Sequence, residues 1–182
     1  EKYGFDKVTS ICQGGAERYL SVWNGLQTIK DAGLLAESDR PEKNRNVYIA
    51  IHDGARPFVT QQILQDTLAA AKQYKACVAA MPVKDTIKIA DEEGFALQTP
   101  KRDLVWAVQT PQVFESLLIY NAYAKLMEES ERLEEQGVTI TDDAMVVEHM
   151  TGERVRLVKA SYENIKITTP EDLILAQGIL ER

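Results

Sequence analysis

The sequence predicts an α/β fold in which a mostly parallel sheet is flanked by helices. Three observations carry this. Strand-length apolar runs alternate with helix-periodic segments over the first half of the chain, in the order β, α, β, α, β. The run ACVAAMPV at 76–83 is apolar throughout, the mark of a strand buried on both faces. The 182 residues, 45% hydrophobic and 27% charged, suffice for one globular domain with a full core.

Taken in order, residues 7–12 (KVTSIC) form a short strand closed by Gly14 and Gly15. A helix follows over 17–35, with Leu20, Trp23, Leu26 and Ile29 at helical spacing. ESDRPEKNRN at 37–46 is polar and reads as an exposed loop. The strand at 47–51 runs into HDGARP, and Thr60 caps a helix over 61–74 that turns Ile63, Leu64 and Leu68 inward. After the buried strand at 76–83 the pattern changes. Residues 85–99 (DTIKIADEEGFALQT) alternate around a DEEG turn, which predicts a protruding hairpin arm rather than another βα unit. The body resumes with a strand at 105–110, a long helix at 115–135 and a shorter helix at 142–149 capped by Thr141. Strands follow at 155–160 and 164–168. The last helix has Thr169 as N-cap, Pro170 at N1 and Asp172 at N3, close to a capping box.

The net charge of −7 argues against generic nucleic-acid binding, which favours basic patches. If the substrates are anionic, a few placed cations or a metal must overcome the overall field. Cys12 and Cys77 lie in apolar strand-like runs and read as reduced core thiols in a cytoplasmic setting. No apolar run approaches the ~18 residues of a membrane span. Glu1 is an unusual natural start, so a further N-terminal segment is expected.

Several polar clusters fall where an open α/β sheet binds ligands, beyond the carboxyl ends of its strands. QGGAERYLS lets backbone approach a ligand at a helix N-terminus, or it is a plain turn, with Ser21 mere surface. In HDGARP, Asp53 could hold Mg²⁺ or its waters beside phosphates, Gly54 permits close approach, and Arg56 can clamp phosphate bidentately. The alternative is an Asp–Arg pair that ties down a loop, and His52 reads as structural. Lys84 and Thr86 in PVKDTIK could touch an anion or merely stabilise the hairpin root. Arg102 and Thr110, taken singly, are ordinary. Helix capping accounts for Thr141. Lys166, between Ile165 and Ile167, is less ordinary in an apolar strand, with snorkelling to the edge as the alternative.

Read together, the blocks GGAER..SV.NGL, HDGARPF, PVKDTIK, WAVQTPQVF, TDDA..VE and NIKITTPEDL resemble the 2-C-methyl-D-erythritol 4-phosphate cytidylyltransferase family, in that family's order and over nearly the whole chain. The resemblance implies a Rossmann-like nucleotidyltransferase fold in a single domain over 1–182. It implies transfer of CMP from CTP to methylerythritol phosphate, releasing pyrophosphate, in the non-mevalonate isoprenoid route. Mg²⁺ as cofactor, a bacterial cytoplasmic location and a homodimer built through the arm at 85–99 follow from it too. By motif, Gly15, Ala16, Ser21 and Gly54 resemble CTP contacts, although the family often has an acid where Ala16 stands. Asp53, Arg56, Thr86, Arg102, Thr110, Thr141 and Lys166 resemble the set that holds methylerythritol phosphate, with Arg102 and Lys166 the pair that positions it for attack. Asp53 is the candidate metal contact.

The family's opening glycine-rich loop, with its Arg and Lys, has no counterpart in these residues. The resemblance therefore implies at least one further βα unit ahead of Glu1, on the order of 30 residues. Two other readings stay open: ribitol-5-phosphate cytidylyltransferase, and a non-catalytic binding module without the triphosphate loop.

Overall fold

The computed structural model describes residues 4–35 and 47–181. They fall into two compact units. One comprises the described residues up to Ile49 together with Glu115–Glu153; the other comprises Ala50–Phe114 and the described residues from Arg154 onward. The expected loop at 37–46 lies outside the described residues.

The elements are α1 (Arg18–Asp31), β1 (Tyr48–Ile51), α2 (Gln61–Tyr74), β2 (Ala76–Pro82), β3 (Ile89–Ala90), β4 (Ala96–Gln98), β5 (Trp106–Glu115), α3 (Ser116–Glu135), α4 (Asp143–Thr151), β6 (Arg156–Lys159) and α5 (Pro170–Leu180), with a 3₁₀ turn at Arg102–Leu104. The four-stranded sheet has the order β1-β5-β2-β6, and β3 and β4 form a separate two-stranded ribbon.

In the second unit β2 is the organising strand. Its residues from Ala76 to Met81 are all buried, as an unbroken apolar run requires. β6 pairs with it in parallel and β5 antiparallel. The sheet is therefore mixed around β2, where the sequence suggests a mostly parallel one. The reason is the arm. The chain leaves β2, makes the hairpin and returns directly beside β2, and such a return needs no crossover helix. β5 also runs on to Glu115, five residues beyond the expected strand end at 110, and Val113 and Phe114 on it are buried.

Thr60 caps α2, its hydroxyl accepting from Ile63 N at 3.3 Å. The buried row is Ile63, Thr67 and Ala71, so Leu64 and Leu68 stay exposed instead of pointing inward. Burying Thr67 is inexpensive because its hydroxyl donates to Ile63 O at 2.7 Å within the helix. Small Ala71 lets the helix approach β2 closely.

Two expected strands do not form. Residues 7–12 are exposed and unpaired; a strand exists only through a neighbour's ladder, and none lies beside them among the described residues. Cys12 is accordingly exposed, not a core thiol. Residues 164–168 are extended coil, tied by one ladder-like bond from Ile167 N to Ala55 O at 2.8 Å. α5 begins as expected: Asp172 accepts from the N–H groups of Thr168 and Thr169, both at 2.9 Å. Those bonds lower its carboxyl pKa.

In the first unit, α3 buries Ile119, Ala122, Tyr123, Leu126 and Leu133, and α1 buries Leu26. The Trp23 and Tyr120 rings stack obliquely with centroids 5.4 Å apart. The Tyr120 hydroxyl donates to Gln27 Oε1 at 2.8 Å and accepts from Lys30 Nζ at 2.8 Å. These contacts tie α1 to α3.

The two cysteines are expected to behave differently. Cys77 is fully buried, its Sγ donates to Thr67 O at 3.0 Å, and burial pushes its thiol pKa up to about 12. A chromogenic disulfide reagent should titrate one thiol, Cys12, in the native protein and two after denaturation. Two reactive thiols in the native state would contradict the burial of β2.

Candidate active site

The tip of β1 delivers HDGARP into a cluster of charges. Asp53 Oδ2 meets Lys166 Nζ at 3.0 Å and Arg56 Nε at 3.8 Å. The second distance is a Coulombic contact, too long for a hydrogen bond. The Asp53 and Arg56 side chains are only 17% and 13% exposed, while Lys166 is 43% exposed. Burial lowers the Arg56 pKa, with the Asp53 carboxylate opposing that shift. Its Nε is buried without a hydrogen-bond partner. The turn itself is closed by Arg56 N donating to Asp53 O at 3.0 Å. A Cβ at Gly54 would meet nothing within 4 Å, so internal packing does not require glycine there.

Beneath this cluster lies a network centred on β5. Asp53 N donates to Thr110 Oγ1 at 3.1 Å. Thr110 Oγ1 is 3.0 Å from His52 Nδ1, and His52 Nε2 is 3.0 Å from Arg56 O. A carbonyl can only accept, so the proton of the neutral ring is assigned to Nε2. Thr110 then donates its hydroxyl proton to Nδ1. Asn164 is fully buried; its Nδ2 donates to Gln109 Oε1 at 3.0 Å and Thr110 O at 2.8 Å. Its own carbonyl accepts from Arg56 Nη1 at 2.8 Å. Asp53 and Arg56 of one turn thus meet Thr110 and Lys166, each more than fifty residues further along the chain, in one cluster. His52 takes the structural role its position suggests.

Arg102 and Thr86 lie at the root of the arm. Arg102 Nη1 approaches Lys84 O at 3.4 Å. Lys84 Nζ sits 3.8 Å from the Tyr162 ring centroid, and the Tyr162 hydroxyl donates to Pro82 O at 2.8 Å. Lys84 is therefore engaged by an aromatic face.

The other motif residues lie in the first unit. Gly15 N donates to Ser21 Oγ at 2.9 Å, and Ser21 Oγ donates to Glu17 O at 3.3 Å. Ser21 therefore shapes the glycine turn. A Cβ on Gly15 would come within 2.3 Å of Leu20 Cβ, so only glycine fits there. Ala16 is exposed in the same turn. Asp142, not Thr141, caps α4, accepting from Met145 N at 2.8 Å; the hydroxyl of Thr141 reaches Met145 Sδ at 3.6 Å instead. The Asp carboxylate suits the cap because it is a strong acceptor and its charge complements the helix dipole.

Sequence reasoning missed the pair beside that cap. Arg18 forks onto Asp143, Nη1 to Oδ1 at 2.9 Å and Nη2 to Oδ2 at 2.7 Å. The Tyr123 hydroxyl donates to Asp143 Oδ1 at 2.5 Å. Burial and then the Asp143 carboxylate raise the Tyr123 pKa far above its ordinary range, so it remains a donor. The Arg of GGAER thus grips the second acid of TDDA, a pairing that single motifs do not reveal. A hollow of about 380 Å³ elsewhere in this unit is lined by Glu17, Glu131 and Glu134, a charge pattern that repels polyphosphates.

Two cations beside a carboxylate at the strand tips of an α/β sheet make a place suited to phosphate groups, and the solved structures that share this fold are Rossmann-like nucleotidyltransferases. Comparison with known proteins specifies the kind. Residues 4–182 match the family described as "IspD: 2-C-methyl-D-erythritol 4-phosphate cytidylyltransferase". The protein of that name from Caldanaerobacter subterraneus subsp. tengcongensis is 46% identical over 183 residues, covering 100% of this chain and 71% of the relative. Its namesake from Alkaliphilus oremlandii is 44% identical over 182 residues, with coverage of 100% and 68%. The crystal structure of 4-diphosphocytidyl-2C-methyl-D-erythritol synthase from Anaerococcus prevotii superposes with a TM-score of 0.72 at 35% identity, over 93% of this chain and 66% of that one. The Thermus thermophilus cytidylyltransferase structure gives 0.69 at 30% identity, over 93% and 72%. The chain belongs to this family of cytidylyltransferases, transferases of isoprenoid precursor synthesis.

Enzymes of this kind generally use a divalent metal. Among the described residues no group of three or more His, Cys, Asp or Glu side chains converges. A hard ion that keeps its waters and binds through substrate phosphates needs only one or two carboxylates, and Asp53 can supply one. No described helix is long and apolar enough to cross a membrane.

Breaking the Arg18 fork should be costly. Asp143→Asn is expected to destabilise the protein by about 2–3 kcal/mol, below the ~3–5 kcal/mol of a fully buried pair. The discount reflects Arg18, whose side chain is 36% exposed. Urea unfolding of both proteins measures the difference, and a change under half a kilocalorie, on the order of a surface substitution, would contradict a structural role.

Proposed function

We propose that the chain transfers CMP from CTP to 2-C-methyl-D-erythritol 4-phosphate, giving 4-diphosphocytidyl-2-C-methylerythritol and pyrophosphate. The observation that carries this reading is the cluster of Arg56 and Lys166 around Asp53, the contacts at 3.8 and 3.0 Å. The acceptor phosphate oxygen attacks the α-phosphorus of CTP, and the bond from that phosphorus to the bridging oxygen of pyrophosphate breaks. No side-chain nucleophile is needed; two anions must be held in line.

Two unit negative charges ~4 Å apart repel by about 4 kcal/mol at an effective dielectric near 20. Arg56 and Lys166 each offset repulsion of that order, which decides the local balance despite the net charge of −7. In this reading Arg56, with Thr86, Thr110 and Thr141, holds the acceptor. Lys166 moves from Asp53 to the reacting phosphate, and Arg102 positions it from the arm root. Gly15, Ala16, Ser21 and Gly54 contact the cytidine half. Mg²⁺ is the proposed metal; bound to the triphosphate and within reach of Asp53, it would damp charge on the leaving pyrophosphate. The arm at 85–99 is the proposed dimer contact, in a cytoplasmic enzyme. Its exposed Phe95 and Leu97, 68% and 69% accessible, support that role.

With Mg²⁺ present, pyrophosphate release should be fastest with CTP among the four nucleotides. It should also be faster with methylerythritol phosphate than with ribitol 5-phosphate. Preference for UTP or ATP would sink the cytidine assignment, and preference for ribitol 5-phosphate would reassign the acceptor.

Lys166→Ala and Arg102→Ala should each lose ~2–4 kcal/mol of transition-state stabilisation, roughly 10²–10³ in rate, with CTP affinity nearly intact. A change below about fivefold in kcat/KM for both variants, ~1 kcal/mol, would end the positioning role.

A further inference from the structure

Asn164 is not among the residues singled out by motif, yet it bonds both Arg56 and Thr110 of the acceptor cluster. It is fully buried. Both protons of its carboxamide are used, one on Gln109 Oε1 and one on Thr110 O, at 3.0 and 2.8 Å. Its backbone N donates to Ser161 O at 3.3 Å. The residue is thus pinned at two points, and its carbonyl points at Arg56 Nη1, 2.8 Å away. That is the hydrogen bond by which the described residues hold the Arg56 guanidinium, since Nε is without one. Lys166 follows two residues later in the same coil segment.

Packing alone does not explain the choice of residue. Asn164 Oδ1 is buried with no hydrogen-bond partner, a loss of stability that a side chain selected for packing need not carry. The carboxamide is instead the one group here that donates twice to β5 while its own peptide faces Arg56.

We propose that Asn164 is a positioning residue for the acceptor phosphate, acting through Arg56. By locking its peptide against β5 it fixes one edge of the guanidinium and so aims the remaining donors at a phosphate monoester. This rests on the reading of Arg56 as an acceptor-phosphate contact.

A double-mutant cycle in the enzyme tests it, with dissociation constants for methylerythritol 4-phosphate and for CTP measured by calorimetry. Asn164→Ala should weaken acceptor binding ~10-fold or more, because a small displacement of a fixed donor is costly. CTP binding should stay within about twofold. In an Arg56→Gln background the same substitution should change acceptor binding by less than about twofold, since a residue acting through Arg56 has nothing left to position. An equal effect in both backgrounds, or CTP and acceptor binding weakened in step, would overturn the proposal as general loosening of the fold. If Asn164→Ala does not fold, Gln109→Ala removes one of the two anchors and enters the same cycle, with a smaller effect of the same pattern expected. Arg56→Gln that leaves acceptor binding unchanged would overturn the acceptor-site reading itself, and this proposal with it.

Discussion

A strand buried on both faces must be hydrogen-bonded along both edges, and the second unit follows from that requirement on β2. From Ala76 to Met81 it has no exposed residue, so every backbone group there needs a partner. β5 supplies one edge and β6 the other. The two neighbours lead to the residues of the proposed site. β5 holds Gln109 and Thr110, beside the tip of β1 in the strand order, and the chain leaving β6 runs into Asn164 and Lys166. The carbonyl, amide and hydroxyl groups of these segments then knit Asp53, Arg56 and Lys166 into one cluster.

That cluster sets two cations against one carboxylate. Asp53 pairs with Lys166 at 3.0 Å and stands 3.8 Å from Arg56, so two buried or half-buried cations are held by one carboxylate. Leaving such charges unpaired would be expensive. In the proposed function an arriving phosphate takes over part of that pairing, with Lys166, the most exposed of the three at 43%, the member placed to follow it. Arg56 cannot move so easily, being 13% exposed and hydrogen-bonded to a buried peptide. The division matches the chemistry of the two side chains, a rigid fork for orientation and a mobile point charge for transfer.

The first unit solves a similar problem differently. The glycine turn before α1 and the cap of α4 are each short polar segments with little core of their own. Arg18 joins them by a bidentate grip on Asp143, which Tyr123 backs from α3. Gly15, barred from any side chain by Leu20, keeps the turn tight enough for Ser21 to bridge it.

Much of this was legible in the residue order alone. Unbroken apolarity marked β2, alternation around DEEG marked the hairpin, and TTPEDL marked the start of α5, because each of these is a local pattern with a local physical cause. HDGARP and Lys166 stood out as charges attached to apolar runs. What stayed hidden depended on partners distant in sequence. The strand expected at 7–12 lacks a described neighbour to pair with. Leu64 and Leu68 lost the inner face of α2 to Thr67 and Ala71, because the close approach to β2 favours a small residue and a hydroxyl bonded within its own helix. The antiparallel placement of β5, the reach of Asn164 to β5 and the meeting of Arg18 with Asp143 are all long-range contacts. Periodicity and capping are written within one turn or one strand; register, strand order and the pairing of buried charges are decided only when segments tens of residues apart compete for the same space and the same hydrogen bonds.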